Sequence, residues 1–427
     1  MVKRRLRVLF ISELFPNPAW PAFGIFVERQ VCHLRPYCDI QVIAPLRVFP
    51  PLRIWRSLLK PSHFVAEWRH WWADLACIPA RNTVNDVPVC YPRYASPPKQ
   101  VFHGTWGFFA YPFVRSTLKE LHSRYHFDLI HAHYAVPSGV IALFAQRWMK
   151  VPVVLSVHGS DVTYTVHQNS MGAWIIRWVL DSVDAIIANS TWTARRIVRH
   201  GGNPERVEIV HYGGNPEEAP IVRMGGDNLV GYEQPKAATK NGTLKLLSVG
   251  YFEERKGHAY VLRALKELIL RGYELQYVVV GDGSQRKALE ALTHELGLAK
   301  VVSFEGYKPH AEVWSYFADC NIFVLPSWNE AFGIVYIEAL SLGKPVVGCE
   351  GEGGPEELKA LGDCVELVKP RDVESLAAAL QRLIDNPERR QRMGEVGRQI
   401  VQEHFTWQRN AADTLALYHR VLGQKNA

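Results

Sequence analysis

The chain has 427 residues, of which 48% are hydrophobic and 21% are charged. This composition excludes a disordered or collagen-like protein and suits two or three domains, each with its own core. The formal net charge of +7 is unevenly spread: residues 1–200 have 23 Lys and Arg against 11 Asp and Glu, and residues 201–427 have 26 against 31. Ten of the 13 Trp also lie in the first 200 residues. We therefore expect the basic half to meet an anionic partner.

The amino-terminal segment is basic and then apolar, as a secretion signal would be. Glu13 interrupts the apolar run, however, and no small-residue cleavage site follows. We expect a buried strand there and a protein that stays in the cytosol. The seven cysteines show no C-x-x-C pair and no metal-ligand spacing, which indicates reduced thiols rather than a disulfide or zinc site.

Short β-branched runs alternate with longer amphipathic stretches in the first half of the chain. The predicted strands are residues 6–11, 40–44, 129–131, 153–157, 185–188 and 207–210. The predicted helices are residues 22–34, 138–149 and 191–199, the last capped by Ser190. Apolar strands between helices indicate a parallel sheet that is covered on both faces.

Residues 213–242 are rich in Gly and Pro and lack a period, which indicates an interdomain connection. A second alternation then predicts strands at residues 244–249, 276–280, 301–304, 322–325 and 346–348. It predicts helices at residues 258–271, 285–296, 310–318 and 333–342. We predict an α/β protein with two facing, doubly wound, Rossmann-like domains, residues 1–212 and 243–406, and a helix within residues 407–427 that crosses back to the first. Ligands are expected in a cleft at the carboxyl ends of both sheets.

The most specific motif is P-S-W-N-E-A-F-G-I at residues 326–334, which continues to Glu338. Glu330 lies in a loop after a strand, and Gly333 begins the helix that carries Glu338. Carboxylates accept hydrogen bonds from vicinal sugar hydroxyls, and the amides of Ala331, Phe332 and Gly333 favour an anion at the helix N-terminus. An isolated glutamate pair is more often structural, but the surrounding loop favours a function.

Two other motifs follow strands. In V-G-Y-F-E-E-R-K-G-H at residues 249–258, Lys256 can reach a phosphate, with Arg255 as a second donor. In S-V-H-G-S-D at residues 156–161, Gly159 lets the backbone approach a ligand. His158 can donate to a sugar hydroxyl, and Asp161 can orient it. Each motif alone would more often be a solvated loop or a structural histidine.

Two weaker features complete the set. His131 and His133 lie at the end of another strand, where we expect only one to face the cleft, and no third metal ligand is apparent. A Pro-rich loop leads to Gly24 at a helix start, where amides can hold a phosphate or an acceptor hydroxyl. No G-x-G-x-x-G follows the first strand, which disfavours dinucleotide oxidoreduction. The sequence also contains no Walker A motif and no Ser-His-Asp elbow.

Together these residues resemble the family 4 retaining glycosyltransferases of the GT-B architecture, over essentially the whole chain. Glu330 and Glu338 match the family's Glu-x₇-Glu signature. The resemblance implies that Glu330 lies near the donor sugar, that Glu338 binds the ribose hydroxyls and that Lys256 binds the diphosphate. It also implies that His158 lies near the transferred sugar, that Gly24 is on the acceptor side, that the amides of Ala331, Phe332 and Gly333 hold the donor, and that Gly306-Tyr307-Lys308 packs along the nucleotide base. From their own loops, we place Asp161 on the acceptor side and Arg255 and Ile334 at the donor.

Two positions depart from the family pattern. Tyr251 stands where the family usually has Arg after the glycine that corresponds to Gly250, so one diphosphate cation is missing unless Arg255 replaces it. Phe23 stands before Gly24 where a Gly-Gly pair is usual, which narrows the acceptor entrance.

The implied reaction transfers a sugar from a UDP- or GDP-sugar, with retained anomeric configuration and without a metal or other cofactor. The expected acceptor is lipid-linked or a saccharide in cell-surface glycan synthesis. Lys256 and helix N-termini stabilise the leaving diphosphate, and Glu330 positions rather than attacks. Two alternatives stay open: a nucleotide-sugar epimerase of the same architecture and a catalytically silent subunit that binds sugar nucleotides.

The segment from Arg47 to Trp72 interleaves cations with tryptophans. This composition suits an anionic membrane surface, and equally an insertion whose tryptophans pack inside. A single-stranded nucleic acid is disfavoured because no nucleic-acid module is recognisable. We expect a cytoplasmic protein that associates with the inner face of the cell membrane. The cations and tryptophans are Arg47, Arg53, Arg56, Lys60, Arg69, Trp55, Trp68, Trp71 and Trp72.

Overall fold

The computed structural model describes residues 4–48, 54, 61–98, 102–214 and 243–425. The chain divides into two compact units, one formed by residues 1–211 with residues 407–427 and the other by residues 212–406. Each unit is built on a largely parallel sheet between helices, which confirms the predicted α/β class.

Within the described residues, the first unit contains an eight-stranded sheet and a two-stranded one. The strands are β1 Leu6–Ser12, β2 Cys38–Ile43, β3 Leu46–Arg47, β4 Arg81–Val84, β5 Val87–Cys90, β6 Arg93–Tyr94, β7 Leu129–His133, β8 Val153–Val157, β9 Ala185–Ala188 and β10 Val207–Ile209. The large sheet has the order β10-β9-β8-β7-β1-β2-β5-β4, and only β4 runs antiparallel to its neighbour. The helices are α1 Ile25–Leu34, α2 Pro61–Ala76, α3 Trp106–Tyr125, α4 Val140–Met149, α5 Ser170–Ser182 and α6 Thr191–Arg199.

The second unit has six parallel strands in the described residues, in the order β13-β12-β11-β14-β15-β16. They are β11 Leu244–Val249, β12 Leu275–Val280, β13 Val302–Gly306, β14 Ile322–Val324, β15 Val346–Cys349 and β16 Val365–Val368. Its helices are α7 His258–Leu270, α8 Arg286–Glu295, α9 His310–Asp319, α10 Ile334–Ser341, α11 Gly353–Leu361, α12 Val373–Asp385 and α13 Pro387–His404.

The last helix, α14 Trp407–Lys425, belongs to the first unit. It packs against α1, where Gln30 Nε2 donates to Thr414 Oγ1 over 3.1 Å. Its Tyr418 hydroxyl lies 2.6 Å from His131 Nδ1, below the end of β7. The C-terminal helix thus closes the core of the first unit from one side of the sheet.

Two central strands of the first sheet are buried along their whole length, because helices cover both faces of the sheet. All five residues of β7, and all five of β8, are buried. Helices α3 and α5 cover one face of the first sheet, while α1 and α14 cover the other. Since parallel strands end at one edge of a sheet, this arrangement gathers the loops that follow β1, β7 and β8 at one edge, and the loops that follow β11 and β14 at one edge of the second sheet.

Candidate functional site

Lys256 and Glu330 are brought together by two loops of the second unit. Lys256 ends a short 3-10 turn, Glu254–Lys256, that follows β11, and its Nζ lies 2.5 Å from Glu330 Oε2. The backbone amide of Trp328 donates to the carbonyl of Arg255 over 2.9 Å, which ties the two loops directly. Gly257 has φ +75°, and a Cβ there would lie 2.4 Å from the carbonyl oxygen of Pro326, so only glycine allows this approach.

The backbone of Glu330 is held by a third loop. Glu352 accepts hydrogen bonds from the amides of Asn329 and Glu330, at 2.9 and 2.8 Å. In return, the amide of Gly353 donates to the carbonyl of Glu330 over 3.2 Å. Asn329 adopts a left-handed conformation with φ 54°. These contacts fix the Glu330 carboxylate rather than leave it in a solvated loop.

The charge at Glu330 is stabilised by its neighbours. Burial raises the pKa of this carboxyl, but Lys256 and Arg255 outweigh burial, and the net pKa is lowered. Arg255 Nη1 lies 3.5 Å from Glu330 Oε2, and Ser327 Oγ donates to the same oxygen over 3.1 Å. The arrangement keeps one carboxylate and two cations beside each other in a largely buried place, which is suited to binding a charged ligand.

Glu338 lies in α10, the helix that Gly333 begins with φ +80°. The side chain of Glu338 is 8% exposed, and its Oε1 is hydrogen-bonded to His310 Nε2 over 2.7 Å. The sequence did not single out His310. It begins α9, two residues after the Gly306-Tyr307-Lys308 segment, so its place at a helix start beside a candidate base-binding segment was the available indication.

The other residues expected to bind the sugar donor differ in how far their side chains are exposed. Phe332 is buried and stacks edge-on against Tyr212, so only its backbone can meet a ligand. Tyr307 and Tyr251 are 60% and 69% exposed. Lys308 Nζ lies 6.0 Å from the ring of Tyr316. The remaining ones, Ala331 and Ile334, lie in the same loop and helix start as Gly333 and are partly buried.

The first unit brings three histidines together at the ends of β7 and β8. His133 Nδ1 lies 3.0 Å from His158 Nε2, and the two rings stack. His131 and His133 lie on the same side of β7, with ring centroids 4.5 Å apart. Residues two apart on a strand share a face, so their spacing does not separate them, and it stays a prediction that only one of them faces the cleft. His131 Nε2 is bonded to Ser156 Oγ over 2.8 Å, so this ring is held within the core.

All three rings are neutral at pH 7. Burial, the largest influence, lowers the pKa of His131 and of His158 to about 3 and that of His133 well below its usual value. Nε2 of the fully buried His133 has no hydrogen-bond partner among the described residues. A buried N–H without an acceptor costs more than an unused lone pair. We therefore place the His133 proton on Nδ1, where it is donated to His158 Nε2, and the proton of His158 on Nδ1.

The contacts of the Asp161 carboxylate in the described residues are with backbone amides, those of Ala135 and His158 among them. Its Oδ1 accepts a hydrogen bond from the backbone amide of Ala135 over 2.9 Å, and its Oδ2 has no partner among the described residues. Burial raises the pKa of this carboxyl to about 7. Asp161 thus supports the backbone of the loops that follow β7 and β8, and His133 is the side chain whose ring nitrogen lies 3.0 Å from Nε2 of His158. The rings of Phe26 and Tyr134 also pack against the His158 imidazole.

Gly24 lies where the sequence places it, immediately before α1, with φ +73°. A Cβ at this position would lie 2.4 Å from the carbonyl carbon and oxygen of Leu14, so glycine is required by close backbone packing alone. Phe23, beside it, is 41% exposed and lies 6.3 Å from the ring of Trp20.

Most of the cations expected at a membrane between Arg47 and Trp72 lie outside the described residues: Arg53, Arg56 and Lys60, together with Trp55. Arg47 is not a surface cation, since its guanidinium lies 4.3 Å from the Trp106 ring centroid and donates to Ser96 Oγ. In α2, Trp71 is buried, while Trp68 and Trp72 are exposed.

No helix of the described chain has both the length and the apolar composition that a bilayer span requires. In the same residues, no three His, Cys, Asp or Glu side chains are grouped as metal ligands. All seven cysteines, each of them described, are free thiols.

Two family models match the chain: "Glycosyl transferase 4-like domain" over residues 73–213 and "Glycosyl transferases group 1" over residues 232–400. A Bacillus subtilis (strain 168) protein, named as a glycosyltransferase of teichuronic acid biosynthesis, is 27% identical over 88% of this chain and 89% of its own. D-inositol 3-phosphate glycosyltransferase 2 of Catenulispora acidiphila is 31% identical over 70% of this chain and 72% of its own.

Among solved structures, the Anabaena protein HepE in complex with UDP is similar to this chain. The TM-score is 0.68 at 19% identity, and the match covers 96% of this chain and 99% of HepE. The two parallel-sheet units therefore have the GT-B fold, as expected. With two family models in chain order and a relative above 30% identity along most of its length, the chain belongs to the group 1 glycosyltransferases.

Proposed function

We propose that the protein transfers a sugar from a UDP- or GDP-sugar, with retained anomeric configuration, to a lipid-linked or saccharide acceptor in cell-surface glycan synthesis. Membership in the group 1 glycosyltransferases supports the transfer itself. The UDP complex of HepE and the teichuronic acid assignment of the Bacillus relative support the donor and the pathway class.

One observation carries this proposal: the Lys256–Glu330 ion pair between two anchored loops of the second unit, with Arg255 as a second cation beside it. When a sugar leaves a nucleotide diphosphate, negative charge grows on the diphosphate. Preorganised cations stabilise that charge most effectively where water is excluded. In the proposed mechanism, Lys256 and Arg255 are these preorganised cations. Glu330 accepts hydrogen bonds from sugar hydroxyls, with its carboxylate in a fixed position. In this role Arg255 replaces the cation missing at Tyr251.

The decisive experiment incubates the protein with labelled UDP-, GDP- and ADP-sugars, with and without a bacterial lipid extract. Transfer of label that requires the extract supports the proposal. An altered sugar nucleotide formed without extract would indicate an epimerase, and binding without any turnover would indicate a silent subunit. A thermal-shift screen of the same donors identifies the nucleotide, because a ligand of the folded state raises apparent stability.

Two further measurements address the stereochemistry and the metal. Proton NMR of the first product shows whether the new glycosidic bond keeps the anomeric configuration of the donor. Transfer should continue in the presence of a chelator, because the proposed mechanism assigns charge stabilisation to Lys256 and Arg255. Activity that is lost on chelation and restored by a divalent cation would contradict the metal-independent assignment.

A further inference from the structure

An exposed aromatic surface covers the start of two helices in the first unit. Phe102 precedes α3, and three phenylalanines lie in its first two turns; Phe109 and Phe113, four residues apart, are 44% and 53% exposed. In the first turns of α5, Met171 is 57% and Trp174 is 62% exposed. The aromatic surface is defined as Phe102, Phe108, Phe109, Phe113, Met171 and Trp174.

Stacked rings and close backbones connect the two helices of this surface. Phe108 stacks on Trp178 at 6.0 Å, and Trp178 stacks on Trp174 at 6.5 Å. The backbones also meet, since a Cβ at Gly104 would lie 2.6 Å from the Cα of Gly172. Monomeric proteins seldom expose so many large apolar side chains together without a function.

The distribution of charged residues around the aromatic surface indicates which kind of partner it would bind. Residues 102–114 and 162–176 contain no Asp, Glu, Lys or Arg. The first charged residues after these two segments are Arg115 and Arg177, both exposed, whereas the residue directly before the second segment, Asp161, is buried. Arg147 lies 5.2 Å from the ring of Phe144, which contacts Phe108. An apolar aromatic centre flanked by arginines matches an anionic lipid surface, where rings enter the headgroup region and cations meet phosphates.

We propose that the aromatic surface docks the protein onto an anionic lipid bilayer. A second copy of the chain is a poorer partner, because the patch has no carboxylate of its own to meet the arginines of a symmetric copy. Helices α3 and α5 lead into β7 and β9, so their first turns lie at the carboxyl edge of the sheet, the edge that also carries His158. The bilayer would then meet the first unit at its acceptor side. This last step rests on the proposed function, whereas membrane docking does not.

The first test is sedimentation with phosphatidylcholine vesicles that contain phosphatidylglycerol, without donor or acceptor. A triple variant, Phe109→Ser with Phe113→Ser and Trp174→Ser, should lower vesicle binding by about tenfold or more. A control with Tyr37→Ser and Leu270→Ser, at apolar positions that are 55% and 73% exposed elsewhere, should bind as the parent does. Equal pelleting of the triple variant and the parent overturns the proposal.

A second test locates the contact by fluorescence. Lipids with brominated acyl chains should quench the parent, and Trp174→Phe should keep vesicle binding while part of the quenching is lost. If Trp68→Ser with Trp72→Ser abolishes binding and the triple variant does not, α2 is the docking surface and the proposal is wrong.

A third test separates lipid from self-association. Sedimentation velocity without lipid should show the same species for parent and triple variant at all concentrations. A dimer that the triple variant abolishes would assign the aromatic surface to a second copy and overturn the proposal. The thermal shift with a sugar nucleotide should be unchanged in the triple variant. If no sugar nucleotide raises the melting temperature of either the parent or the triple variant, the proposed function is contradicted, whereas the result on vesicle binding is unaffected.

Discussion

At the loop edge of the second sheet, an ammonium and a carboxylate lie 2.5 Å apart, whereas at the loop edge of the first sheet three histidines are neutral at pH 7. Both places are largely buried. In the second unit, burial of Glu330 is outweighed by Lys256 and Arg255, so its pKa is lowered. In the first unit, burial is the largest influence on the three rings, and the neighbouring histidines lower the pKa of His131 and His133 further, so the charged forms are disfavoured.

The difference suits different tasks. A site that receives a diphosphate needs fixed cations whose charge is already present. A site that meets neutral sugar hydroxyls needs hydrogen bonds with a defined direction, which a neutral imidazole in one tautomer provides. Under the proposed function, we therefore expect the second unit to stabilise charge and the first to orient hydrogen bonds.

The largest expected effect follows from removal of the charge in the second unit. Lys256→Ala should lower turnover by about one to three orders of magnitude, as for the loss of one preorganised charge-stabilising group. Single-turnover transfer from the identified sugar nucleotide measures this. Lys245→Ala, at an exposed lysine paired with Asp319, is the matched control and should change little. If Lys256→Ala keeps the parental turnover, Lys256 does not stabilise the charge of the leaving diphosphate.

The two glutamates should separate sugar positioning from nucleotide binding. Glu330→Gln should lower transfer by about ten- to a hundredfold while the nucleotide dissociation constant stays near that of the parent. Glu338→Ala should weaken nucleotide binding by about tenfold, since it removes an acceptor for ribose hydroxyls. Isothermal titration with the free nucleotide diphosphate and transfer assays give both values. His310→Ala tests whether the 2.7 Å contact with Glu338 helps to hold that carboxylate. The opposite pattern in the two glutamate variants would refute the assignment.

The sequence predicted some elements of each unit closely and missed others. Strand β11 and the start of α7 agree with the predicted bounds, because short apolar runs alternate cleanly with amphipathic helices there. The prediction missed α2, α3 and α5 in the first unit, and β16, α11, α12 and α13 in the second. The helices α3 and α5 show one physical reason. Their exposed faces carry Phe109 and Trp174 instead of polar residues, so the helical period of apolar and polar positions is obscured.

Within the site, loops that follow predicted strands could be located, but contacts between distant residues could not. Glu330 and Lys256 were singled out from their loops, and the structure joins them. Glu352, which holds the backbone of Glu330, and His133, which contacts His158, depend on packing of separate elements. A local pattern contains no information on such partners.

A third prediction tests whether burial keeps the Asp161 carboxyl of the first unit protonated. The pKa of Asp161 is about 7 in the folded protein against 3.8 for an ordinary Asp, so its stabilising contribution is fully present below about pH 4 and is lost as the pH rises through 7. Asn cannot ionise. Asp161→Asn should therefore gain stability relative to the parent, on the order of 4 kcal/mol, between pH 4 and pH 8. Chemical unfolding at both pH values measures it, with Asp184→Asn as a control. A difference that does not change with pH would show that Asp161 is already ionised at pH 4.

The smallest expected effect concerns orientation rather than charge. His133 donates from Nδ1 to His158 Nε2 in the assigned tautomers, so the proton of His158 is held on Nδ1. His133→Leu fills similar space but removes the donor, and it should lower kcat by about tenfold with little change in KM, as for the loss of one hydrogen bond. His133→Asn keeps an N–H donor near the position of Nδ1 and should recover most of that loss. Nitrogen-15 NMR of the imidazoles supplies a readout that packing alone would not move: the His158 signals should report a proton on Nδ1 in the parent and in His133→Asn, and a mixture of tautomers in His133→Leu. If His133→Leu keeps both the parental His158 signals and the parental kcat, then His158 is oriented by its own loop, and the first unit's edge needs no second histidine to direct its hydrogen bond.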